Sequence, residues 1–147
     1  MQAGRRLLPW LLAAVALPAA AIDYRSVAAP VAVLYDTPSA KGGKLYLLKQ
    51  YTPLEIVVRL EGWIKVRDVE GTLAWVDAKL LSERRMVVVT SDRAEIRKEA
   101  NANAAIVFEA EKWVALELVE PAQAGWARVR HLDGSLGYVR APQVWGL

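Results

Sequence analysis

The chain contains no cysteine and a single histidine, His131. Without cysteine it has no disulfide, no thiolate nucleophile, no cysteine zinc site and no lipid-modified N-terminal cysteine. With one histidine and no cysteine, the chain has too few ligands for zinc and other softer metals. We therefore expect no metal site, and we expect no cofactor. The excess of basic over acidic residues is also small. The 19 Lys and Arg residues stand against 16 Asp and Glu, a surplus too small and too mixed for a dedicated nucleic-acid-binding protein.

The first 21 residues have the three-part pattern of a secretory signal peptide. Arg5 and Arg6 precede an apolar stretch at 7–17, and three alanines end at Ala21. We predict cleavage after Ala21 and export, with the periplasm as the destination and no membrane attachment afterwards. The alternative is a retained membrane anchor, although the apolar stretch is shorter than the roughly 20 residues that a span needs. Without Arg5 and Arg6, the 19 basic residues become 17 against 16 acidic ones.

The remainder of the chain contains an internal repeat. Residues 62–76 align with residues 125–139, and seven of these fifteen positions are identical. Upstream, the match continues with a shift that is shorter by one residue. A period above 60 residues is longer than those of solenoid and propeller repeats. It indicates duplication of a whole small domain, and we predict one domain at 22–82 and a second at 86–147.

Each copy has the pattern of short β-strands. Residues 63–67 alternate between aliphatic side chains and large or charged ones, and residues 126–130 do the same. A glycine follows at the position of a hairpin turn, Gly71 in one copy and Gly134 in the other, and a second strand returns. Residues 100–113 have a helix-compatible composition, but their match to a glycine-containing segment favours loop and strand. We therefore predict an all-β chain of two small barrels.

These motifs resemble those of the bacterial SH3 domain. Copy one carries Gly62-Trp63-Ile64-Lys65-Val66 and then Gly71-Thr72-Leu73-Ala74-Trp75-Val76, and copy two carries the equivalent residues 125–129 and 134–139. The resemblance covers nearly all of the chain after the signal. It implies two tandem SH3-like barrels in an exported protein that binds rather than catalyses. Such domains often occur in proteins that act on or attach to peptidoglycan, and some of them bind cell-wall peptides.

We expect no catalytic residue in this chain. Many bacterial SH3 domains are fused to a hydrolase with a Cys-His pair, and this chain has neither that additional domain nor any cysteine. His131 lies beside the predicted Asp133-Gly134 turn, and no nucleophile pattern surrounds it.

Aromatic residues are the candidate ligand contacts. Trp63 shares a strand face with Lys65, and Trp126 shares one with Arg128, which indicates that these faces meet water. An exposed ring beside a cation can stack on a planar peptide or sugar face. The family resemblance agrees, because it implies that a tryptophan at this strand start lines a peptide groove. With one residue from the first loop of each copy as the opposite wall, the predicted ligand-binding set is Tyr35, Trp63, Lys65, Arg97, Trp126 and Arg128.

Packing is the alternative role for Trp63 and Trp126, because a domain of about 60 residues has little core. We assign the other conspicuous aromatic residues to the core or to the interface between the domains: Trp75, Tyr138, Tyr46, Phe108, Tyr51 and Trp113.

Two classes of function remain. The first is a periplasmic module that binds cell-wall peptides of peptidoglycan, and the basic first loop, with Lys41 and Lys44 against Asp36, suits an acidic partner. The second is a structural or assembly protein that binds another envelope protein through sheet edges or its aromatic surface, with no small ligand. The short link at 82–86 indicates that the barrels pack together, which leaves open two separate grooves or one shared cleft.

Overall fold

The computed structural model describes residue 16 and residues 20–147. The predicted signal peptide, 1–21, therefore lies almost wholly outside the described residues. Among those that are described, no helix is long and apolar enough to cross a membrane. The described chain is all-β, as predicted, and forms two antiparallel sheets of seven strands each.

The first sheet has the spatial strand order β3-β2-β6-β5-β4-β1-β7. A short 3₁₀ helix, Ala78–Leu80, connects its last two strands. The strands are β1 Tyr24–Val27, β2 Val31–Tyr35, β3 Lys44–Lys49, β4 Pro53–Leu60, β5 Trp63–Arg67, β6 Leu73–Asp77 and β7 Leu81–Ser82.

The second sheet repeats this order strand for strand, as β10-β9-β13-β12-β11-β8-β14. A 3₁₀ helix at Ala141–Gln143 again precedes the final strand. The strands are β8 Met86–Val89, β9 Arg93–Arg97, β10 Ile106–Glu111, β11 Ala115–Gln123, β12 Trp126–Arg130, β13 Leu136–Arg140 and β14 Val144–Trp145. Residues 100–113 are thus loop and strand, as their repeat match predicts.

Strand alternation places one small aliphatic core inside each barrel. In β5 the inward residues are Ile64 and Val66, and β12 has Ala127 and Val129 at the same positions. The residues between them point outward, so each sheet has a buried inner face and a wetter outer face. Six equivalent pairs are fully buried in the two cores: Val27 and Val89, Ala32 and Ala94, Leu34 and Ile96, Leu54 and Leu116, Val66 and Val129, and Val76 and Val139.

The hairpin between the Trp-containing strand and its return strand turns at glycine in both copies. Gly71 has φ 87° and Gly134 has φ 95°, values in the left-handed region that glycine adopts without steric cost. The predicted turns are therefore present.

The two barrels pack against each other through β8. All four residues of β8 are buried: Val87 and Val89 belong to the second core, whereas Met86 and Val88 point away from it toward the first barrel. At the same junction the rings of Tyr24 and Trp145 meet edge to face, with centroids 5.2 Å apart. This contact fixes which edges and loops of the two barrels border one another.

Candidate functional site

The first barrel brings four outward side chains into one cluster, and three of them, Tyr35, Trp63 and Lys65, belong to the predicted ligand-binding set. The ring of Tyr35 at the end of β2 meets the ring of Trp63 at the start of β5 edge to face, with centroids 5.6 Å apart. Tyr35 also pairs in register with Trp75, and Trp75 pairs with Lys65, whose ammonium lies 5.8 Å from the Trp75 ring centroid. All four residues are half-buried. We call Tyr35, Trp63, Lys65 and Trp75 the outer aromatic surface.

The interpretation of Trp75 and Tyr138 as core or interface residues is wrong. Both lie on the outer face of their barrels, opposite Lys65 and Arg128 respectively. The signal was present in the sequence, because in β6 the small residues Ala74 and Val76 alternate with Leu73, Trp75 and Asp77. A strand with buried Ala74 must direct Trp75 outward.

The second barrel places its predicted residues differently. The guanidinium of Arg140 covers the ring of Trp126 at 4.9 Å, and no second aromatic ring is among the contacts described for Trp126. Arg128 lies 6.0 Å from the Tyr138 ring centroid. A shallow depression of about 310 Å³ beside Trp126, Arg128 and Tyr138 is the concave feature of this face.

Both predicted cations of the second barrel already have partners. Arg128 forms an ion pair with Glu120 at 2.8 Å, and this hydrogen bond raises the pKa of the Arg128 guanidinium. Arg97 donates to the carbonyl of Ala104 at 2.7 Å and forms an ion pair with Glu95. Arg97 therefore braces its own loop, whereas Tyr35 at the equivalent position of the first barrel contacts Trp63.

The first loop of barrel one is held by its acidic residue. Asp36 Oδ1 accepts a hydrogen bond from the Gly43 N–H at 2.8 Å, and the Asp36 N–H donates to the Gly43 carbonyl at 3.0 Å. The same loop carries Lys41, and Lys44 at its end pairs in register with Tyr35.

A buried carboxylate anchors the hairpin turn of barrel one. Asp68 Oδ1 accepts from the Glu70 and Thr72 N–H groups at 3.0 and 2.9 Å, and Oδ2 accepts from the Tyr46 hydroxyl at 3.0 Å. Burial, and then the hydrogen bond to Asp68, raises the pKa of the Tyr46 phenol.

Barrel two replaces this pair with Phe108 and His131, whose ring centroids are 5.6 Å apart. His131 accepts from the Asp133 N–H at 3.3 Å and so belongs to a turn. Within residue 16 and 20–147, no group of three His, Cys, Asp or Glu side chains has the spacing of a metal site.

A comparison with protein families matches the bacterial SH3 domain model at residues 28–83 and again at 90–146. Each match includes its barrel's tryptophan, Trp63 or Trp126. No curated protein matches the chain.

Three solved structures are similar to the chain at 16% identity. NlpC2 from Trichomonas vaginalis has a TM-score of 0.40, with 84% of this chain and 48% of that one covered. NlpC1 from the same organism has a TM-score of 0.41, with 97% and 51% covered. An NlpC/P60 family protein from Bacillus cereus has a TM-score of 0.35, with 83% and 55% covered. The chain spans about half the length of these structures.

Proposed function

The chain belongs to the bacterial SH3 domain family, and from this membership we propose that it is an exported, non-catalytic protein that binds cell-wall peptides through its first barrel. Bacterial SH3 domains often bind cell-wall components and typically occur in exported proteins. The family suggests a cell-wall binding module. The arrangement of side chains favours the first of this chain's two barrels as the one that binds.

The observation that carries the proposal is the edge-to-face pair of Tyr35 and Trp63 at 5.6 Å. Two half-buried rings at right angles form a corner in which one ring supports the other. A planar amide group of a peptide fits such a corner by stacking. Lys65 on the same face, with Lys41 and Lys44 in the neighbouring loop, supplies positive charge for the carboxylates of a cell-wall peptide.

The second barrel supports the first rather than repeating its function. Its tryptophan is covered by Arg140, and its Arg128 is held by Glu120. A ligand would have to displace both groups before it could stack on Trp126. We therefore assign the main recognition surface to Tyr35, Trp63, Lys65 and Trp75, with weaker contact at Trp126 and Arg128.

The position of His131 supports the non-catalytic part of the proposal. Its imidazole accepts from the Asp133 backbone and lies 3.2 Å from the Asp133 carboxylate, in a turn that also contacts Phe108. General acid–base or nucleophilic catalysis needs a nucleophile or second titrating group aimed at a substrate position, and the partners of His131 serve the turn.

The test is binding of the protein to purified sacculi and soluble muropeptides. We expect capture on sacculi, and Trp63→Ala should weaken muropeptide binding by about tenfold, the loss that one stacked aromatic contact of about 1.4 kcal/mol represents. Trp126→Ala is the matched control, because the same residue type is removed from the equivalent strand. Unimpaired binding by a folded Trp63→Ala variant, or retention of a protein partner in place of sacculi, would contradict the proposal.

A further inference from the structure

A groove of about 420 Å³ runs between the two barrels along β3. Four consecutive residues of β3, 46–49, line it, together with Pro53 from barrel one and Val88 and Trp113 from barrel two. Successive side chains of a strand point to opposite faces. When four residues in a row border one groove, the groove therefore faces the edge of the strand, where its backbone groups lie.

The outer edge of β3 has no partner strand in the described part of the chain, because β3 is the terminal strand of its sheet. The Gln50 N–H donates to the Pro30 carbonyl at 3.0 Å, which fixes the alternation of hydrogen bonds in this hairpin. Leu48 and Tyr46 then point their backbone groups toward β2, and Leu47 and Lys49 point theirs toward the groove.

The edge available for pairing is short and defined. The Lys49 carbonyl is already taken by the Thr52 hydroxyl, which donates to it at 2.7 Å. The Leu47 N–H and C=O and the Lys49 N–H thus remain directed at the groove. An added strand of about three residues can form backbone hydrogen bonds to these three groups.

The equivalent edge of barrel two is protected by charge. β10 is likewise the terminal strand of its sheet, but Glu109 and Glu111 replace Leu47 and Lys49 on its outer face, and Glu109 forms an ion pair with Arg93 at 3.4 Å. Charged residues of this kind prevent association of sheet edges. β3 has charge only at its two ends, Lys44 and Lys49, and the middle of its outer face is apolar, since Leu47 is 64% exposed.

The wall contributed by barrel two contains an exposed aromatic residue. Trp113 is 44% exposed, and the ammonium of Lys112 lies 4.9 Å from its ring centroid. Its φ of 73° is matched by a φ of 70° at Tyr51, the equivalent residue of barrel one, so this left-handed turn belongs to the fold of both barrels. Trp113 borders both the β3 groove and an adjoining depression of about 540 Å³.

We propose that this groove binds an extended peptide segment of a partner protein, which adds to β3 as an eighth strand of the first sheet. Its backbone pairs with Leu47 and Lys49, and its aliphatic side chains pack on Pro53, Val88 and Trp113. Charged residues at the groove set the orientation of the bound segment. Lys49, which borders both the groove and the adjoining depression, pairs with a carboxylate at one end of the segment, and Glu70 in the groove pairs with a cation at the other end. This site is separate from the outer aromatic surface and does not depend on cell-wall binding.

The experiment selects octapeptides from a random phage-displayed library on the immobilised protein and then measures their binding to variants. In Leu47→Pro the outward N–H is lost, while the hydrogen bonds to β2, made by Tyr46 and Leu48, are kept. The matched control is Glu109→Pro in β10. Leu47→Glu, which copies the protected edge, is a second variant that does not change backbone freedom.

We expect selected peptides to contain alternating aliphatic residues with an acidic end. They should bind Leu47→Pro and Leu47→Glu about tenfold or more weakly than the unchanged protein, with Glu109→Pro unaffected. On binding, the Leu47 and Lys49 amide protons should become protected from exchange. The proposal is overturned when no peptide is selected, when the selected peptides bind Leu47→Pro normally, or when protection appears elsewhere. Displacement of the peptides by muropeptides would overturn the separation of the two sites, whereas failure of sacculus binding alone leaves this site intact.

Discussion

Trp63 and Trp126 begin equivalent strands of two barrels with the same topology, yet different groups contact their rings. Trp63 meets Tyr35 edge to face, whereas Trp126 lies under the guanidinium of Arg140. The residue in register with Trp63 on the return strand is Asp77, at the position that Arg140 has in barrel two. One exchange on the neighbouring strand therefore separates a ring that a guanidinium covers from a ring that meets a second aromatic side chain.

The two copies of the duplicated domain have kept similar inner faces, whereas their outer faces have diverged. Most inward positions remain aliphatic and buried in both copies, because a barrel of about 60 residues has little core to spare. Outward positions carry no such constraint. Val31 and Leu47 of barrel one correspond to Arg93 and Glu109 of barrel two, which turns an apolar hairpin face into an ion-paired one.

The strongest test of this comparison is a methyl group added inside barrel two. In Gly137→Ala the new Cβ would collide with Ile96 and lie 2.7 Å from the Arg97 carbonyl oxygen. We expect a loss of about 3 kcal/mol in unfolding free energy, the upper range for overpacking. Denaturant unfolding combined with amide exchange will assign the loss to barrel two.

The reverse change, Ala74→Gly in barrel one, is the control and should cost about 1 kcal/mol. Ala74 already fits at 2% exposure, so β6 does not approach β2 as closely as β13 approaches β9. Equal losses of stability for the two variants, or a loss in barrel one for Gly137→Ala, would contradict the closer approach of β13 to β9.

The next effect concerns the buried carboxylate that only barrel one has. Tyr46→Phe removes the hydroxyl that donates to Asp68 and should reduce stability by about 2 kcal/mol, the range for a hydrogen bond to a charged group. Phe108→Tyr in barrel two restores the hydroxyl opposite His131 and should change stability by less than about 0.5 kcal/mol. Thermal unfolding of both variants checks this, and an unchanged Tyr46→Phe protein would show that Asp68 is satisfied without Tyr46.

A smaller effect appears in alkali. Burial raises the pKa of the Tyr46 phenol above the value of about 10 that it has in the unfolded chain. The folded state then holds its proton longer than the unfolded state, so stability is fully present below pH 10 and falls as the pH rises above it. Denaturant midpoints measured from pH 8 to 11 should fall less steeply for Tyr46→Phe. Parallel slopes would contradict the assignment of this proton to Tyr46.

The smallest effect is the uncovering of Trp126. Arg140→Ala removes a cation–π contact at an exposed site, worth about 0.5–1 kcal/mol, and should make Trp126 more accessible. The indole N–H signal of Trp126 should then broaden more strongly with a soluble paramagnetic probe, while that of Trp63 stays unchanged. No change at Trp126 would mean that Arg140 is not its cover.

The sequence alone predicts the fold because strand alternation and the repeat fix which residues point inward. The placement of Tyr35 opposite Trp63 is predicted by the resemblance to bacterial SH3 domains and not by strand alternation. Neither predicts that Arg97 and Arg128 are held by Glu95, Ala104 and Glu120, since such contacts depend on loop geometry and on exposed side chains with many rotamers.

The groove along β3 could not be derived from the sequence either. It exists because Val88 and Trp113 of barrel two stand beside the edge of barrel one, and the repeat contains no information on how its two copies pack. The sequence leaves one shared cleft and two separate grooves equally open. The packing through β8 decides that a cleft between the barrels exists.

The two barrels share a fold, and we propose that only the first recognises a ligand through its aromatic residues. The direct measurement is a muropeptide titration followed through the indole N–H resonances of Trp63 and Trp126, each assigned by its Trp→Phe variant. We predict saturable shifts for Trp63 at ligand concentrations that leave Trp126 unmoved. Shifts of Trp126 that equal or precede those of Trp63 would contradict the account.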